Sequence, residues 1–382
     1  MTGRRKGHGP RRFCKALGNA MRVGFASLIA VALTGARCDS DRVSPHGTIS
    51  TRERKDAIRR ASVWARVDIP EVDFRTGPDV EEGFALNQWI SCVYKEVKMN
   101  GKSPKFTCET SPGQEIKVKY GGSNAEVFGE VLATRLLWGI GFAADRMFPV
   151  RVRCHGCPAD PKHSPERTML THEFDPAVVE RRLPGRAIET SENSGWAWSE
   201  LDDLGPDSPA DSRAQRDALK LLAAFIQHSD SKPSNQRIVC PSGQETGTGC
   251  RAPVLLIQDL GITFGEATAL NKNRNAVSLV GWSRVPVWKD PARCIADLSG
   301  SLTGRFMNPQ IGEAGRAFLA SLLIQLTDDQ LRDLFEVARV TLRPIDPSEN
   351  PDGPRATVDQ WVEVFKRKRA QIVDHHCPHS RA

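Results

Sequence analysis

The chain changes character near its middle, from short apolar segments to longer segments with helical spacing. The first half contains the strand-like patterns: Ile90–Tyr94, Lys105–Glu109, Glu115–Tyr120, Phe148–Cys154 and Thr168–Phe174. Apolar residues at helical spacing predict the helices Glu126–Trp138 and Asp211–Gln227. Further helices are predicted at Glu313–Leu326, at Thr327–Leu342, which opens with a capping box, and at Ala356–Val373. Because strands and helices are largely segregated along the chain, the pattern predicts an α+β fold with a sheet-rich first part and a mainly helical second part.

The dipeptide Asn100-Gly101 lies between the first two predicted strands. Asn-Gly favours the tight turn that joins antiparallel neighbours, so these strands are expected to form a hairpin. In the third strand, Lys117 and Lys119 alternate with apolar residues, as in a strand with one apolar and one basic face. The first part is therefore expected to be a small antiparallel sheet with one helix.

The net charge of +7 comes mainly from the N-terminal segment. Residues 1–37 contain eight arginines and lysines and no acidic residue, whereas the rest of the chain has 45 basic and 46 acidic residues. A nucleic-acid-binding domain concentrates positive charge in its folded part. The balanced charge of the rest therefore argues against a nucleic-acid partner.

Residues 1–38 have the organisation of an export signal. A basic stretch ends at Arg22, and Val23–Ala36 has no charged residue, which is too short for a transmembrane helix but fits a signal peptide. Cys38 follows a small-residue cleavage site almost at once, which favours a lipid anchor. Residues 39–84 are expected to be a linker, in a protein that is periplasmic, extracellular or lipid-anchored. The alternative is that the apolar stretch is a short amphipathic or buried segment.

Eight cysteines follow the leader: Cys92, Cys108, Cys154, Cys157, Cys240, Cys250, Cys294 and Cys377. An even number of dispersed cysteines behind an export signal favours disulfides formed in an oxidising compartment. Two pairings are favoured by the positions of the cysteines. Cys92 and Cys108 flank the turn of the predicted hairpin, and a bond between Cys240 and Cys250 would close a short loop. Free thiols in a cytosolic protein are the alternative.

The motif Cys154-His-Gly-Cys157 has more than one interpretation. A structural zinc site usually has a second such pair at a defined spacing, and none is evident here. A disulfide between Cys154 and Cys157 is therefore favoured. Zinc bound with the help of His163 and His172, or a pair of reduced or redox-active thiols, is the alternative.

The segment with the clearest chemical pattern is His228-Ser-Asp-Ser-Lys-Pro-Ser-Asn235. It lies between an amphipathic helix and the short apolar segment Gln236–Cys240. A second aspartate, Asp259, follows the apolar run Val254–Ile257. Phosphoryl transfer requires a carboxylate that orients the acceptor hydroxyl, and amide and carboxylate oxygens that hold a divalent metal against the phosphates. The two segments supply such a set.

His-x-Asp-x-Lys-Pro-x-Asn resembles the catalytic loop of protein kinases, and Asp259-Leu-Gly is similar to their metal-binding Asp-Phe-Gly. The resemblance implies that Asp230 is the catalytic base and that Lys232 contacts the transferred phosphate. It also implies that Asn235 and Asp259 bind the metal, Mg²⁺ or Mn²⁺, and that the cofactor is ATP.

Protein kinases also pair a lysine of the third strand with a glutamate of the following helix. Ile116-Lys-Val-Lys119 is similar to that strand motif, so the resemblance implies Lys119, with Lys117 as the alternative. Glu130 is the implied helix partner, with Glu126 as the alternative. This pair would position the phosphates of ATP.

No Gly-x-Gly-x-x-Gly precedes the lysine strand, and no Ala-Pro-Glu follows Asp259-Leu-Gly. The resemblance is therefore to atypical kinases: the HipA-like, CotH-like, secretory-pathway (Golgi casein kinase-like) and phosphatidylinositol 3/4-kinase-like branches. It implies a bilobal protein-kinase-like fold, with a small N-lobe at residues 85–175 and a larger helical C-lobe at residues 176–382.

The implied activity is metal-dependent transfer of the ATP γ-phosphate to a hydroxyl of a protein or small molecule. Two alternatives stay open. One is a non-catalytic exported pseudokinase or interaction module, and the other is an adenylyl transferase on the same fold. The implied partners are a nucleotide and an unidentified acceptor, with membrane anchoring through Cys38.

Overall fold

The computed structural model describes residues 49–78, 83–99, 101–206, 208–247, 249–267, 272–298 and 306–378. Residues 44–382 belong to one compact unit. The predicted leader with Cys38, and Asn100 of the predicted turn, lie outside the described residues.

The described part of the chain contains both helices and strands. The helices are α1 (Thr51–Arg60), α2 (Glu126–Gly139), α3 (Ser212–Phe225), α4 (Lys272–Asn275), α5 (Leu279–Arg284), α6 (Glu313–Leu323), α7 (Asp328–Val337) and α8 (Val358–Val373). The strands are β1 (Gln88–Lys95), β2 (Lys105–Ser111), β3 (Gln114–Tyr120), β4 (Arg146–His155), β5 (Thr171–Arg181), β6 (Arg186–Ala187), β7 (Gln236–Cys240), β8 (Glu245–Thr246), β9 (Gly249–Cys250), β10 (Val254–Ile257), β11 (Trp288–Asp290) and β12 (Ile295–Ala296). Among the described helices, none has the length and apolar character needed to cross a membrane.

The first five strands form a closed barrel in the order β1-β2-β3-β5-β4. Neighbouring strands pair antiparallel except β1 and β4, which pair parallel and close the barrel. The expectation of a purely antiparallel sheet is therefore wrong at this pair. Closure encloses an apolar core that includes Phe106, Val118, Phe148 and Val152. It also leaves no unpaired edge among these strands, which removes a site for aggregation.

Four disulfides connect the eight cysteines that follow the leader. The predicted pairs Cys92–Cys108 and Cys240–Cys250 are confirmed. Cys154–Cys157 is also a disulfide, buried in the core of the barrel, so the zinc alternative is wrong for this pair. The fourth bridge joins Cys294, which lies between β11 and β12, to Cys377, which follows α8.

Loss of the Cys92–Cys108 disulfide, which joins β1 to β2, is expected to destabilise the protein. Replacing both Cys92 and Cys108 with serine should lower the free energy of unfolding by about 3 kcal/mol, because the bridge joins residues separated by 16 positions and restricts the unfolded chain. Denaturant unfolding of variant and wild type without reductant measures the difference. Under full reduction the difference should become small, and equal stability without reductant would contradict the expectation.

Residues 49–78 pack against the helical core, which differs from the linker expected there. Helix α1 begins with a capping box. Ile58 and Phe74 are each 1% exposed and belong to the main hydrophobic cluster. Arg216 of α3 donates hydrogen bonds to carbonyl oxygens at the end of α1, including that of Ile58 at 2.6 Å. Apolar packing and the hydrogen bonds of Arg216 therefore both fix this segment on the helical core.

Helix α2 contacts both the barrel strand β4 and the helix α7. It is buried nearly all round, with Glu126 and Trp138 partly exposed, as expected for a helix enclosed on all sides. The helical part is built on α3, α6, α7 and α8, whose shared core includes Trp282, Trp361 and Phe365. A small sheet in the order β10-β7-β6 lies in the same part and carries the segments with the predicted chemistry.

Candidate active site

The segment between α3 and β7 is a loop fixed by side-chain amides. Asn235 Nδ2 donates a hydrogen bond to Asp230 O at 2.6 Å, and Gln236 Nε2 donates to Ser231 O at 3.3 Å. Asp230 is largely buried, and Lys232 Nζ lies 3.2 Å from its Oδ2. The amide side chains therefore hold the backbone that presents Asp230 and Lys232.

Asp259 is brought beside this loop by the antiparallel pairing of β7 and β10. The backbone N–H groups of Gln258 and Asp259 donate to Asn235 O at 2.9 and 3.3 Å. The residues between the two strands include the β8–β9 hairpin and are closed by Cys240–Cys250. Asn235 and Asp259 are therefore neighbours in space despite their separation in sequence.

Helix α2 passes very close to the residues that follow Asp259. A Cβ atom on Gly129 would lie 2.5 Å from Gly261 O, and a Cβ atom on Gly261 would lie 2.5 Å from Glu126 Cγ. Such distances are too short for a side chain, so glycine at both positions permits the approach. The approach brings the carboxylates of α2 to Asp259.

Lys119 of β3 is buried against two glutamates of α2. Its Nζ lies 2.7 Å from Glu126 Oε2, and it also forms an ion pair with the fully buried Glu130. Lys117, the alternative lysine, forms an ion pair with Glu180 of β5. The structure therefore places Lys119 against α2 and in contact with both candidate glutamates.

The charges around Lys119 shift the pKa values of the site. Burial alone would raise the pKa of Asp259, but Lys119 and Lys232 hold it well below its usual value. Burial would lower the pKa of Lys119, but the surrounding carboxylates outweigh it and hold that pKa well above its usual value. Burial raises the pKa of Glu130 to about 8 against the attraction of Lys119, and the neighbouring Asp259 and Glu126 add to the rise. The site therefore has a surplus of negative charge.

This surplus fits a divalent cation. Oxygens of Glu126, Glu130 and Asp259 lie within 4.8 Å of one another. Glu130 Oε2 is buried and has no hydrogen-bond partner among the described residues. Carboxylate oxygens are the ligands that Mg²⁺ and Mn²⁺ prefer. The residues present therefore fit the metal that the resemblance implies.

Two residues of the site are not singled out by the sequence pattern. Ser103 Oγ donates a hydrogen bond to Glu126, and Lys105 is paired with Lys119 in the register of β2 and β3. Burial, together with the charge of Lys119, lowers the pKa of Lys105, which forms no ion pair within the described part of the chain. In a β2–β3 hairpin, residues at equal distances from the turn face each other, and this rule would have placed Lys105 opposite Lys119.

His228, at the start of the loop, is fully buried. Its ring lies 5.9 Å from that of Trp198, centroid to centroid, and neither ring nitrogen has a hydrogen-bond partner among the residues that the structure describes. Burial lowers the pKa of His228 to about 4. An unfolded histidine has a pKa of about 6.5, so below this pH the unfolded state binds a proton that the folded state does not. The free energy of unfolding is therefore highest above pH 6.5 and decreases as the pH falls towards 4.

His228→Asn is therefore expected to flatten the pH dependence of stability. Between pH 6.5 and 4 the variant should lose roughly 3 kcal/mol less free energy of unfolding than the wild type does. Urea unfolding at closely spaced pH values measures this. His163→Asn, which changes an exposed histidine paired with Asp160, should keep the wild-type slope. Identical profiles for His228→Asn and wild type would contradict the expectation.

A cavity of about 1120 Å³ adjoins the loop at Pro233. Its wall combines aromatic and charged side chains, among them Trp198, Phe306, Arg213, Asp217 and Lys220. Lys220 forms ion pairs with Asp217 and Asp202. The volume is sufficient for a small molecule or for a few residues of a peptide.

No protein-family model and no curated protein matches the chain. Among solved structures, it is similar to the Helicobacter pylori proinflammatory kinase CtkA, with 9% identity and a TM-score of 0.41, over 75% of this chain and 96% of that chain. It is also similar to the Shewanella oneidensis MR-1 toxin–antitoxin complex of HipA, HipB and operator DNA, with 12% identity and a TM-score of 0.34, over 73% of this chain and 64% of that chain.

Proposed function

We propose that the chain is an atypical kinase that transfers the γ-phosphate of ATP to a hydroxyl group in a metal-dependent reaction. One observation carries the proposal. Buried Lys119 is in contact with Glu130 beside Asp259, and the loop of Asp230 and Asn235 lies directly next to Asp259. This is the set of groups that phosphoryl transfer requires.

In the proposed reaction Lys119 binds phosphate oxygens, and Glu130 keeps its Nζ in place. Asp230 orients the acceptor hydroxyl and accepts its proton. Lys232 Nζ, 3.2 Å from Asp230 Oδ2, contacts the phosphate during transfer. Lys119, Glu130 and Asp230 are buried and held by the fold before substrate arrives, and such preorganisation is the main source of catalysis in phosphoryl transfer.

Asn235 and Asp259 would hold Mg²⁺ or Mn²⁺, with the oxygens of Glu126 close by. When bound, the metal supplies neutralisation of charge on the phosphates. The low pKa of Asp259 keeps it ionised and ready to bind a cation at neutral pH.

The proposed fold is bilobal, with an N-lobe at residues 85–175 and a C-lobe at residues 176–382. One feature supports it: the barrel has an apolar core of its own, separate from the cluster that α2 shares with the later helices. Strand β5 continues past residue 175, so the lobes would be joined through this strand.

The proposed location is outside the cytoplasm, with anchoring through Cys38. Support comes from the pairing of all eight cysteines behind the leader in disulfides, because such bridges persist in oxidising compartments. The acceptor is proposed to reach Asp230 from the cavity that adjoins Pro233.

The test is a thermal-shift titration of the chain from residue 39 onwards with ATP and Mg²⁺ or Mn²⁺. Ligand at 100 times its dissociation constant should stabilise the folded state by about 2.7 kcal/mol, seen as a raised midpoint. ATP labelled at either the γ- or the α-phosphate then follows transfer to the chain itself and to added hydroxyl acceptors. Transfer of the γ-label supports the proposal.

The other outcomes separate the alternatives. Transfer of the α-label would identify an adenylyl transferase. Metal-dependent binding without transfer of either label would favour a pseudokinase. A midpoint that nucleotide and metal leave unchanged would contradict the proposal and favour an interaction module.

A further inference from the structure

Cys294, His375 and Cys377 lie together in the helical part of the chain. The two cysteines form a disulfide, and His375 Nε2 lies 3.2 Å from Cys294 Sγ. One ligand atom from each of the three side chains lies within 4.8 Å of the other two. Two sulfurs and one imidazole nitrogen form a ligand set that Zn²⁺ binds in proteins.

The segments that carry these residues are held together by contacts other than the disulfide. Gln371, near the end of α8, accepts hydrogen bonds from Val287 N at 2.8 Å and from Trp288 Nε1 at 2.7 Å. Cys377 N donates to Glu313 Oε2 at 2.7 Å. Reduction would therefore leave the two sulfurs near each other, because the backbone on both sides stays in place.

His375 is positioned by contacts of the same kind. Its ring lies 4.9 Å from that of Trp288, centroid to centroid, and its Nε2 donates a hydrogen bond to Pro291 O at 3.1 Å. Zinc binding would move that proton to Nδ1 and replace this hydrogen bond with the bond to the metal. In a tetrahedral site with Zn–S near 2.3 Å and Zn–N near 2.0 Å, the ligand atoms are about 3.5–3.8 Å apart. The distance from His375 Nε2 to Cys294 Sγ is already 3.2 Å, so the main movement required is separation of the sulfurs.

Cys294 also lines the cavity of about 1120 Å³ that adjoins the candidate active site. The cavity gives a reductant and a metal ion a path to an otherwise buried sulfur. It also provides room for a water molecule as the fourth ligand. A metal site needs such an entry path as well as its ligands.

We propose that reduction of Cys294–Cys377 creates a zinc site formed by Cys294, Cys377 and His375, so that the disulfide and the metal exclude each other. A dithiol transfers two electrons and two protons to the disulfide and is itself oxidised to a disulfide. Zn²⁺ then displaces the two thiol protons and binds the neutral imidazole. The site is independent of the proposed phosphoryl transfer.

The test uses the full chain, reduced with a dithiol and freed of it under anaerobic conditions. The reduced protein is alkylated with iodoacetamide, with and without Zn²⁺, and the modified cysteines are identified by mass spectrometry. Zn²⁺ should slow alkylation of Cys294 and Cys377 at least tenfold, and a chelator should restore the rate. Equal rates with and without Zn²⁺ would overturn the proposal.

Two histidine variants form the matched control. His375→Ala should raise the Zn²⁺ concentration for half-protection at least tenfold. His376→Ala changes the exposed neighbour, which lies near Glu313, and should leave that concentration unchanged. Both variants keep the cysteines, so their folding can be compared before reduction. Protection of His375→Ala at the wild-type concentration would overturn the three-ligand site. Loss of native tryptophan fluorescence on reduction alone would also overturn the proposal, since the ligands would no longer be held together.

Discussion

Replacing Asp259 with asparagine is expected to lower phosphotransfer at least about 1,000-fold and to remove metal-dependent binding of ATP. The change keeps the size of the side chain but removes the charge that faces Lys119 and Lys232. A loss of this size corresponds to about 4 kcal/mol of transition-state stabilisation, which is within the range expected for a metal ligand at a phosphoryl group. Transfer of the γ-label and thermal shift with ATP and Mn²⁺ measure the two effects.

The thermal midpoint of Asp259→Asn without ligand should stay within a few degrees of the wild type, because the side chain keeps its shape in a site with other carboxylates. Asp352→Asn changes an exposed aspartate of a loop and should keep full activity. Wild-type activity in Asp259→Asn would refute the role assigned to Asp259. Loss of both folding and activity would call for Asp259→Glu, in which a role in metal binding predicts partial recovery of ATP binding.

Lys119→Met is expected to cause the largest loss of stability of any single change in the site. Lys119 is the shared cation of Glu126 and Glu130, and its side chain is 5% exposed. Removing one partner of a buried ion pair costs about 3–5 kcal/mol, because the remaining charges are left without compensation. The thermal midpoint should fall by roughly 5–10 °C, and phosphotransfer should fall to background.

Two variants test the cause of this loss. Adding Glu126→Gln to Lys119→Met removes a carboxylate that loses its cation in the single variant, and should recover part of the lost stability, though none of the activity. Lys95→Met breaks an exposed pair with Glu115 and should cost less than about 1 kcal/mol. Equal losses for the two lysine variants would contradict the assignment of Lys119, and no recovery in the double variant would contradict the charge-based explanation.

Much of this architecture could be predicted from local patterns. Apolar spacing predicts α2 and α3, and the capping box at Thr327 predicts the start of α7. The hairpin and its disulfide Cys92–Cys108 follow from a turn signal with a cysteine on either side. The loop of Asp230 and Asn235 was recognisable because its residue types and spacing are set by chemistry rather than by packing.

The features that could not be predicted depend on contacts between distant parts of the chain. Parallel pairing of β1 with β4 closes the barrel, and no local pattern specifies the partner of a strand edge. Residues 49–78 pack through apolar side chains such as Ile58 and Phe74 and through Arg216, whose guanidinium binds backbone carbonyls, and a backbone acceptor has no signature in sequence. Glu126 is a full partner of Lys119 for a similar reason, because the two glycines that bring α2 close act through the absence of side chains.

The bridge Cys240–Cys250 has a consequence for how the molecule can be handled. It closes the loop between β7 and β10, while the two strands pair directly with each other. A change in the length of this loop should therefore leave the positions of Asn235 and Asp259 unchanged. Gly243, in the turn between β7 and β8, has open space around it. A peptide tag inserted after Gly243 would therefore provide a handle for immobilising the protein with both termini left unmodified.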